Sequence, residues 1–186
     1  MSAGAAADAD VTVLRDGRVV RVRPVGPGDV ACILGFLRGL SADTVYSRFF
    51  SLRPDLAREA LACMGDAEHP CRGLLALPVG ETFAVGHAGY WPLSRGRAEL
   101  AIAVADDHQG LGLGGLLLRR LAEIARGAGV EVFQMDVLSF NLGALRLLAG
   151  SGYPLRASLG EPPYSGVVRC KLRVGAEGRR PSPAAA

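Results

Sequence analysis

Residues 106–115 read DDHQGLGLGG, and they join two stretches of opposite character. Before them, residues 97–105 (RAELAIAVA) form a nearly continuous apolar run, as expected of a central strand buried on both faces. After them, Leu117, Leu121 and Ile124 recur at helical spacing, with Gly127 and Gly129 placed to end the helix. A glycine-rich turn from such a strand into such a helix aims successive backbone N–H groups at one point. The start of the helix adds its partial positive charge, and the two together cradle a phosphate or pyrophosphate.

Two templates compete for the loop. Gly110, Gly112 and Gly115 fit the dinucleotide pattern G-x-G-x-x-G, and Asp136 lies 21 residues further on, where a ribose-binding acid would sit. Two physical facts oppose that match. A dinucleotide turn follows its strand almost at once, whereas Asp106 to Gln109 intervene here; and the 50 residues after Asp136 are too few for the remaining units of a doubly wound sheet. The same residues also read as R/Q-x-x-G-x-G/A: Gln109, Gly110, Leu111, Gly112, Leu113, Gly114.

Outward from the loop the elements are mixed. Residues 19–25 alternate apolar residues with arginine and predict a half-buried strand, broken by Pro24, Gly26, Pro27 and Gly28. Val30, Ile33, Leu34 and Leu37 mark one helical face, with Asp29 at its favourable end. A second helical stretch covers 42–64 with a break near Pro54; there Tyr46, Phe49 and Phe50 read as core aromatics. Residues 74–77 and 83–90 read as strands around a Val79–Gly80 turn. Residues 130–137 read as a strand, and Leu142, Leu145 and Leu148 as a short helix closed by Gly150 and Gly152. Residues 153–159 and 167–174 complete the set as strands. The expected class is α/β (α+β), a mixed central sheet flanked by helices. One domain is expected over 11–174, with residues 1–10 and 175–186 as disordered tails.

Composition narrows the function. With 49% hydrophobic and 21% charged residues the chain of 186 residues is globular, and it carries no apolar run long enough to span a membrane. Residues 1–10 lack the basic and apolar segments of a secretion signal, so a cytoplasmic protein is expected. The formal charge of +3 suits anionic ligands, but no basic block interleaves with aromatics as nucleic-acid binding would require. Lys171 is the only lysine among 21 basic residues. Cys32, Cys63, Cys71 and Cys170 are too scattered for a metal site, and His69, His87 and His108 read as surface or packing residues.

The loop Gln109 to Gly114 resembles the acyl-CoA pyrophosphate loop of the GNAT family of N-acetyltransferases. Residues 141–153 (NLGALRLLAGSGY) resemble that family's N-x-x-A-x-x-L-x-x-x-G-F segment, and the resemblance extends over residues 14–174. Residues 14–29 and 40–51 (LSADTVYSRFFS) look like the acetyltransferase domain of bacterial protein-lysine acetyltransferases. Those enzymes modify acyl-CoA synthetases, often with a fused regulatory domain; none is expected here.

The resemblance implies an acetyl-CoA-dependent transfer to an amine, with a protein lysine as acceptor. A small-molecule amine and a non-catalytic CoA-binding module are the alternatives. Deprotonating a lysine at pH 7 costs about 4.6 kcal/mol, so a positioned base is useful. Glu99 matches the family's general base, and its apolar strand is expected to desolvate it. Ile102, Ala103 and Val104 would bond the pantetheine arm through their backbones. Gln109, Gly110, Leu111, Gly112, Leu113, Gly114 and Gly115 would hold the pyrophosphate, and Asn141 would serve the thioester end while capping its helix. A backbone N–H of the central strand would serve as donor to the thioester oxygen. Leu148 stands where many family members carry a tyrosine acid. No general acid is therefore assigned, and no metal is implied.

Overall fold

The chain begins with β1 (Asp10–Val13) and β2 (Val19–Pro24), a hairpin whose turn needs Gly17 at a φ of 88°. Three short helices follow: α1 (Val30–Arg38), α2 (Ala42–Phe49) and α3 (Leu56–Ala62). Next come β3 (Arg72–Pro78), β4 (Gly86–Ser94) and β5 (Arg97–Val104), then a 3-10 turn at Asp106–His108 and the long helix α4 (Leu113–Gly127). The chain closes with β6 (Val132–Leu138), α5 (Leu142–Ala149), β7 (Leu155–Leu159) and β8 (Val167–Arg173). The computed structural model describes residues 10–65, 70–160 and 166–175. Most of the two expected tails, and His69, lie outside the described residues.

The strands form a single eight-stranded sheet in the order β1-β2-β3-β4-β5-β6-β8-β7. Every neighbouring pair is antiparallel except β5 and β6, which run parallel with α4 as their crossover. On one face α4 buries Leu117, Leu118 and Leu121 completely against Ala88, Tyr90, Ala98, Leu100 and Phe133. Each leucine so buried contributes roughly 1.5–3 kcal/mol. On the other face α1 and α3 set Ile33, Phe36, Leu37 and Ala60 against Leu75 and Leu77.

The helix starts follow from their side chains. Ser41 and Asp55 accept N–H groups of the first turns of α2 and α3. Asp29, at the start of α1, makes no such cap. Its carboxylate takes the Arg23 guanidinium in a fork of 2.6 and 2.7 Å and the Gly26 N–H at 2.6 Å. The Arg23 hydrogen bond holds the Asp29 carboxyl below the usual carboxylate range, although burial opposes it.

Three expectations need correction. Strand 97–104 is buried on both faces only in its second half: Ala98 and Leu100 face α4 and Ala103 joins the core of α1 and α3, whereas Arg97 and Glu99 on that opposite face are exposed. Of the three aromatics read as core, Phe49 is half-buried against the α1–α3 core, whereas Tyr46 and Phe50 lie outside it. Tyr46 stacks on Phe140 with centroids 6.3 Å apart, Phe49 lies beneath the Arg48 guanidinium, and Phe50 ends α2 at a φ of 55°, 41% exposed. The strand expected at 83–90 begins at Gly86, and Phe83 is exposed. Strand β1 carried no alternation long enough to be read.

Candidate active site

The sheet opens in its middle. β5 pairs with β6 at only three positions, Arg97↔Val132, Ala98↔Phe133 and Glu99↔Gln134, while β4 stays paired with β5 as far as Val104↔Gly86. Beyond Glu99 the far edge of β5 has no strand beside it. Which backbone groups face that gap follows from antiparallel alternation. The Ala105 N–H donates to Val85 O across β4, so Ala103 and Ala101 also turn toward β4. Leu100, Ile102 and Val104 therefore turn their N–H and C=O groups to the open edge. Of the three residues expected to bind an extended ligand, Ile102 and Val104 present their backbones there, and Ala103 faces His87.

At the end of this gap the glycine loop makes its turn. Gly110 and Gly112 take φ values of 72° and 93°, the left-handed region that only glycine enters at little cost. Leu111 lies between them and lends its carbonyl to Arg15. The first intrahelical bond of α4 is Leu116 N–H to Gly112 O, so the N–H groups of Leu113, Gly114 and Gly115 precede it. Gly112 offers no side-chain cap, and no acidic residue occupies the first turn. Gly114 also gives room to α5: a Cβ there would stand 3.3 Å from Leu147 Cδ2.

Contacts distant in sequence fix this loop. The Arg15 N–H donates to Leu111 O at 3.2 Å, and its guanidinium reaches Gly110 O at 3.4 Å. Arg119, one turn into α4, has Nη1 3.5 Å from where a Gly115 Cβ would be. Two cations thus flank the exposed N–H groups. Gln109 does not point at that place. Its Nε2 donates to Val104 O at 3.1 Å and to Thr44 Oγ1 at 3.2 Å, tying loop to strand. Asp106 accepts from the Ser41 N–H, Ser41 Oγ and Thr44 Oγ1 at 2.9, 2.7 and 2.7 Å. Burial works against the charge of Asp106, but these bonds prevail and hold its carboxyl below the ordinary value. His108 is buried between Asp107 and Arg18, its Nδ1 2.7 Å from Asp107 Oδ1, and it packs the hairpin onto the loop.

On the face of the sheet opposite α4 lies a cavity of about 370 Å³ lined by Leu93, Glu99, Gln134, Asp136, Arg169 and Lys171 among others. Glu99 is exposed in it, so the desolvation expected from its apolar neighbours is absent: those neighbours face away. Register puts Trp91, Glu99, Gln134 and Lys171 in one row across four strands. Arg48 of α2 has its charge opposed by burial and supported by the Cys63 thiol and by the carboxylates of Glu59 and Glu99. Among the described residues, no group of His, Cys, Asp and Glu is arranged to hold a metal ion.

Comparison with known proteins decides the family. The model of the Acetyltransferase (GNAT) family matches residues 41–153. The chain belongs to the GNAT acetyltransferase family. It is thus an acyl-CoA-dependent N-acetyltransferase, and its mixed sheet flanked by helices is the GNAT fold. It is 34% identical over 142 residues to an acetyltransferase of Pseudomonas aeruginosa, covering 73% of this chain and 76% of that one. It is 32% identical over 137 residues to the acetyltransferase Pat of Mycolicibacterium smegmatis, covering 73% of this chain but only 41% of that longer one. Among solved structures, the GNAT domain of S. lividans PAT superposes with a TM-score of 0.75 at 28% identity, over 89% of this chain and 96% of that one.

The remaining residues of the GNAT resemblance lie on and beside α5. Asn141 caps α5, its Oδ1 accepting from the Ala144 N–H at 3.0 Å. Leu148 and Tyr153 are buried in the core shared with α4, 3% and 5% exposed, so neither faces the gap as a proton donor. Arg15, Ser41, Thr44 and Asp106 were not singled out by sequence reasoning. The contacts that join them span from 62 to 96 residues, and no local spacing announces them.

Proposed function

We propose that this GNAT enzyme transfers an acetyl group from acetyl-CoA to the side-chain amine of a protein lysine, with Glu99 as general base. The observation that carries the reading is the opening of the sheet directly after Glu99. It leaves an extended strand edge running from the carboxylate toward the bare start of α4. Ile102 and Val104 on that edge suit a pantetheine arm, which would add to β5 as a further strand does. The N–H groups from Gly110 to Gly115, with Arg15 and Arg119 beside them, suit a pyrophosphate. Asn141 stands at the start of α5 on the far side of the gap.

The chemistry follows from position. Bound acetyl-CoA supplies the electrophile, a thioester carbonyl. Glu99 takes a proton from the incoming ammonium, directly or through one water, so that the amine presents its lone pair. An N–H of the open β5 edge can donate to the thioester oxygen as charge gathers on it. An alkyl thiol such as that of cysteine has a pKa near 8.5, so water suffices as proton source for a departing thiolate of this kind. That is consistent with an apolar Leu148 where many relatives of the fold carry a tyrosine.

The similarity to Pat and to the S. lividans PAT domain supports a protein acceptor. Acetyl-CoA binding by calorimetry, with NAD as control, followed by incubation with an acyl-CoA synthetase and mass mapping of modified lysines, tests the reading. Acetylated lysines on the acceptor protein support it. Binding of NAD, or labelling of small amines alone, would replace it.

A further inference from the structure

We infer that Lys171 is a site of self-acetylation: the enzyme transfers an acetyl group to its own single lysine. The inference rests on the acetyl-CoA-dependent reading above and on the layout of the acceptor cavity.

The chain carries 21 basic residues, and Lys171 alone among them has a primary amine side chain. It lies on β8 directly opposite Gln134 of β6, which in turn lies opposite Glu99 of β5. Paired residues of neighbouring strands point to the same face, so Glu99, Gln134 and Lys171 share one. All three line the cavity of about 370 Å³. Adjacent strands lie about 4.8 Å apart, which separates the Glu99 and Lys171 backbones by roughly 10 Å. A lysine's four-carbon stem and a glutamate's two-carbon stem cover much of that distance. Lys171 is exposed, and none of the ion pairs among the described residues engages it, whereas its neighbour Arg169 lies 3.8 Å from Asp136.

The step balances with the co-substrate of the established activity. The Lys171 ammonium first gives one proton to the Glu99 carboxylate, and from there it passes to solvent. The freed Nζ lone pair then forms the amide C–N bond as the thioester C–S bond breaks, and the nitrogen releases a second proton to water. CoA leaves as its thiolate and takes one proton from water. The product replaces a cation in the acceptor cavity with a longer neutral amide, so the labelled enzyme is expected to show a raised KM for its acceptor.

The test is incubation of the purified 186-residue chain with acetyl-CoA, followed by intact mass and peptide mapping. The expected result is one acetyl group at Lys171, formed at a rate independent of protein concentration and slowed about a hundredfold in Glu99→Gln. Lys171→Arg keeps the charge and should abolish the label. Acetylation confined to the N-terminal amine, or equally fast labelling of Lys171 in heat-unfolded protein, overturns the inference. So does an unlabelled Lys171 in enzyme that releases CoA with an acceptor protein, and in that case the proposed function stands. Failure to bind acetyl-CoA overturns both.

Discussion

Glu99 and Gln134 are the last residues to face each other across β5 and β6, and the strands part immediately beyond them. The carboxylate therefore stands at the mouth of the gap, on the exposed face, with the open edge of β5 ahead of it. Glu99→Gln keeps the shape and removes the proton acceptor. The expected result is a fall in kcat of about 10²–10⁴-fold with acetyl-CoA affinity unchanged. Thiol release and calorimetry measure the two quantities, and an unaltered kcat would remove Glu99 from the mechanism.

Gly112 holds a φ of 93° where the loop enters α4. An alanine there meets Arg15 only at ordinary contact distance, so the cost is conformational, about 1–2 kcal/mol. Gly112→Ala should lose both that stability and CoA affinity. Gly129→Ala provides the contrast. Its φ of 79° is equally demanding, but it lies beyond the far end of α4, so stability should fall while binding does not. Urea unfolding and calorimetry on both variants separate strain from ligand contact.

Arg15 is anchored to the glycine loop by its own backbone and guanidinium. Its charge is solvent-exposed, so its contribution to a bound phosphate is modest and screened by salt. Arg15→Gln should weaken CoA binding roughly 2- to 5-fold at low salt, or about 0.4–1 kcal/mol. The difference from wild type should shrink as salt is added. Calorimetric titrations at two ionic strengths check this, and a salt-independent loss would point to a structural role.

His87 is fully buried in β4, and its Nε2 has no hydrogen-bond partner among the described residues. Burial, with the Arg48 charge acting in the same sense, pushes the imidazole down to about 3. In the unfolded chain it titrates near 6.5, so between the two values the unfolded state holds a proton that the folded state refuses. The contribution is complete above pH 6.5. It is lost as pH falls toward 3, at up to about 1.4 kcal/mol per pH unit. His87→Leu should flatten this acid limb in denaturant unfolding measured from pH 4 to 8.

The parts legible in sequence are those set by local chemistry. Glycines at Gly110 and Gly112 announce a left-handed turn because only glycine accepts it, and the leucine stripe of α4 follows from its period. The apolar run 97–105 misled because alanines fit a buried face and an exposed one equally well. Only the placement of helices decides that Glu99 looks outward. The clamp of Asp106 onto Ser41 and Thr44, and of Arg15 onto Leu111, joins segments that no spacing relates. Lys171 was visible as the only lysine, but its row with Glu99 depends on a sheet order in which β8 comes between β6 and β7.

The strand that opens beyond Glu99 has a consequence for handling the protein. Backbone groups on Ile102, with the Leu100 carbonyl and the Val104 N–H beside it, have no strand partner and make an edge, and edges recruit strands from other molecules. A ligand lying along β5 closes that seam. The unliganded enzyme should then be the one that clumps on warming or concentration. Turbidity during a slow temperature ramp, with and without CoA, would show it, and CoA in the purification buffer would guard against sticking as well as loss of activity.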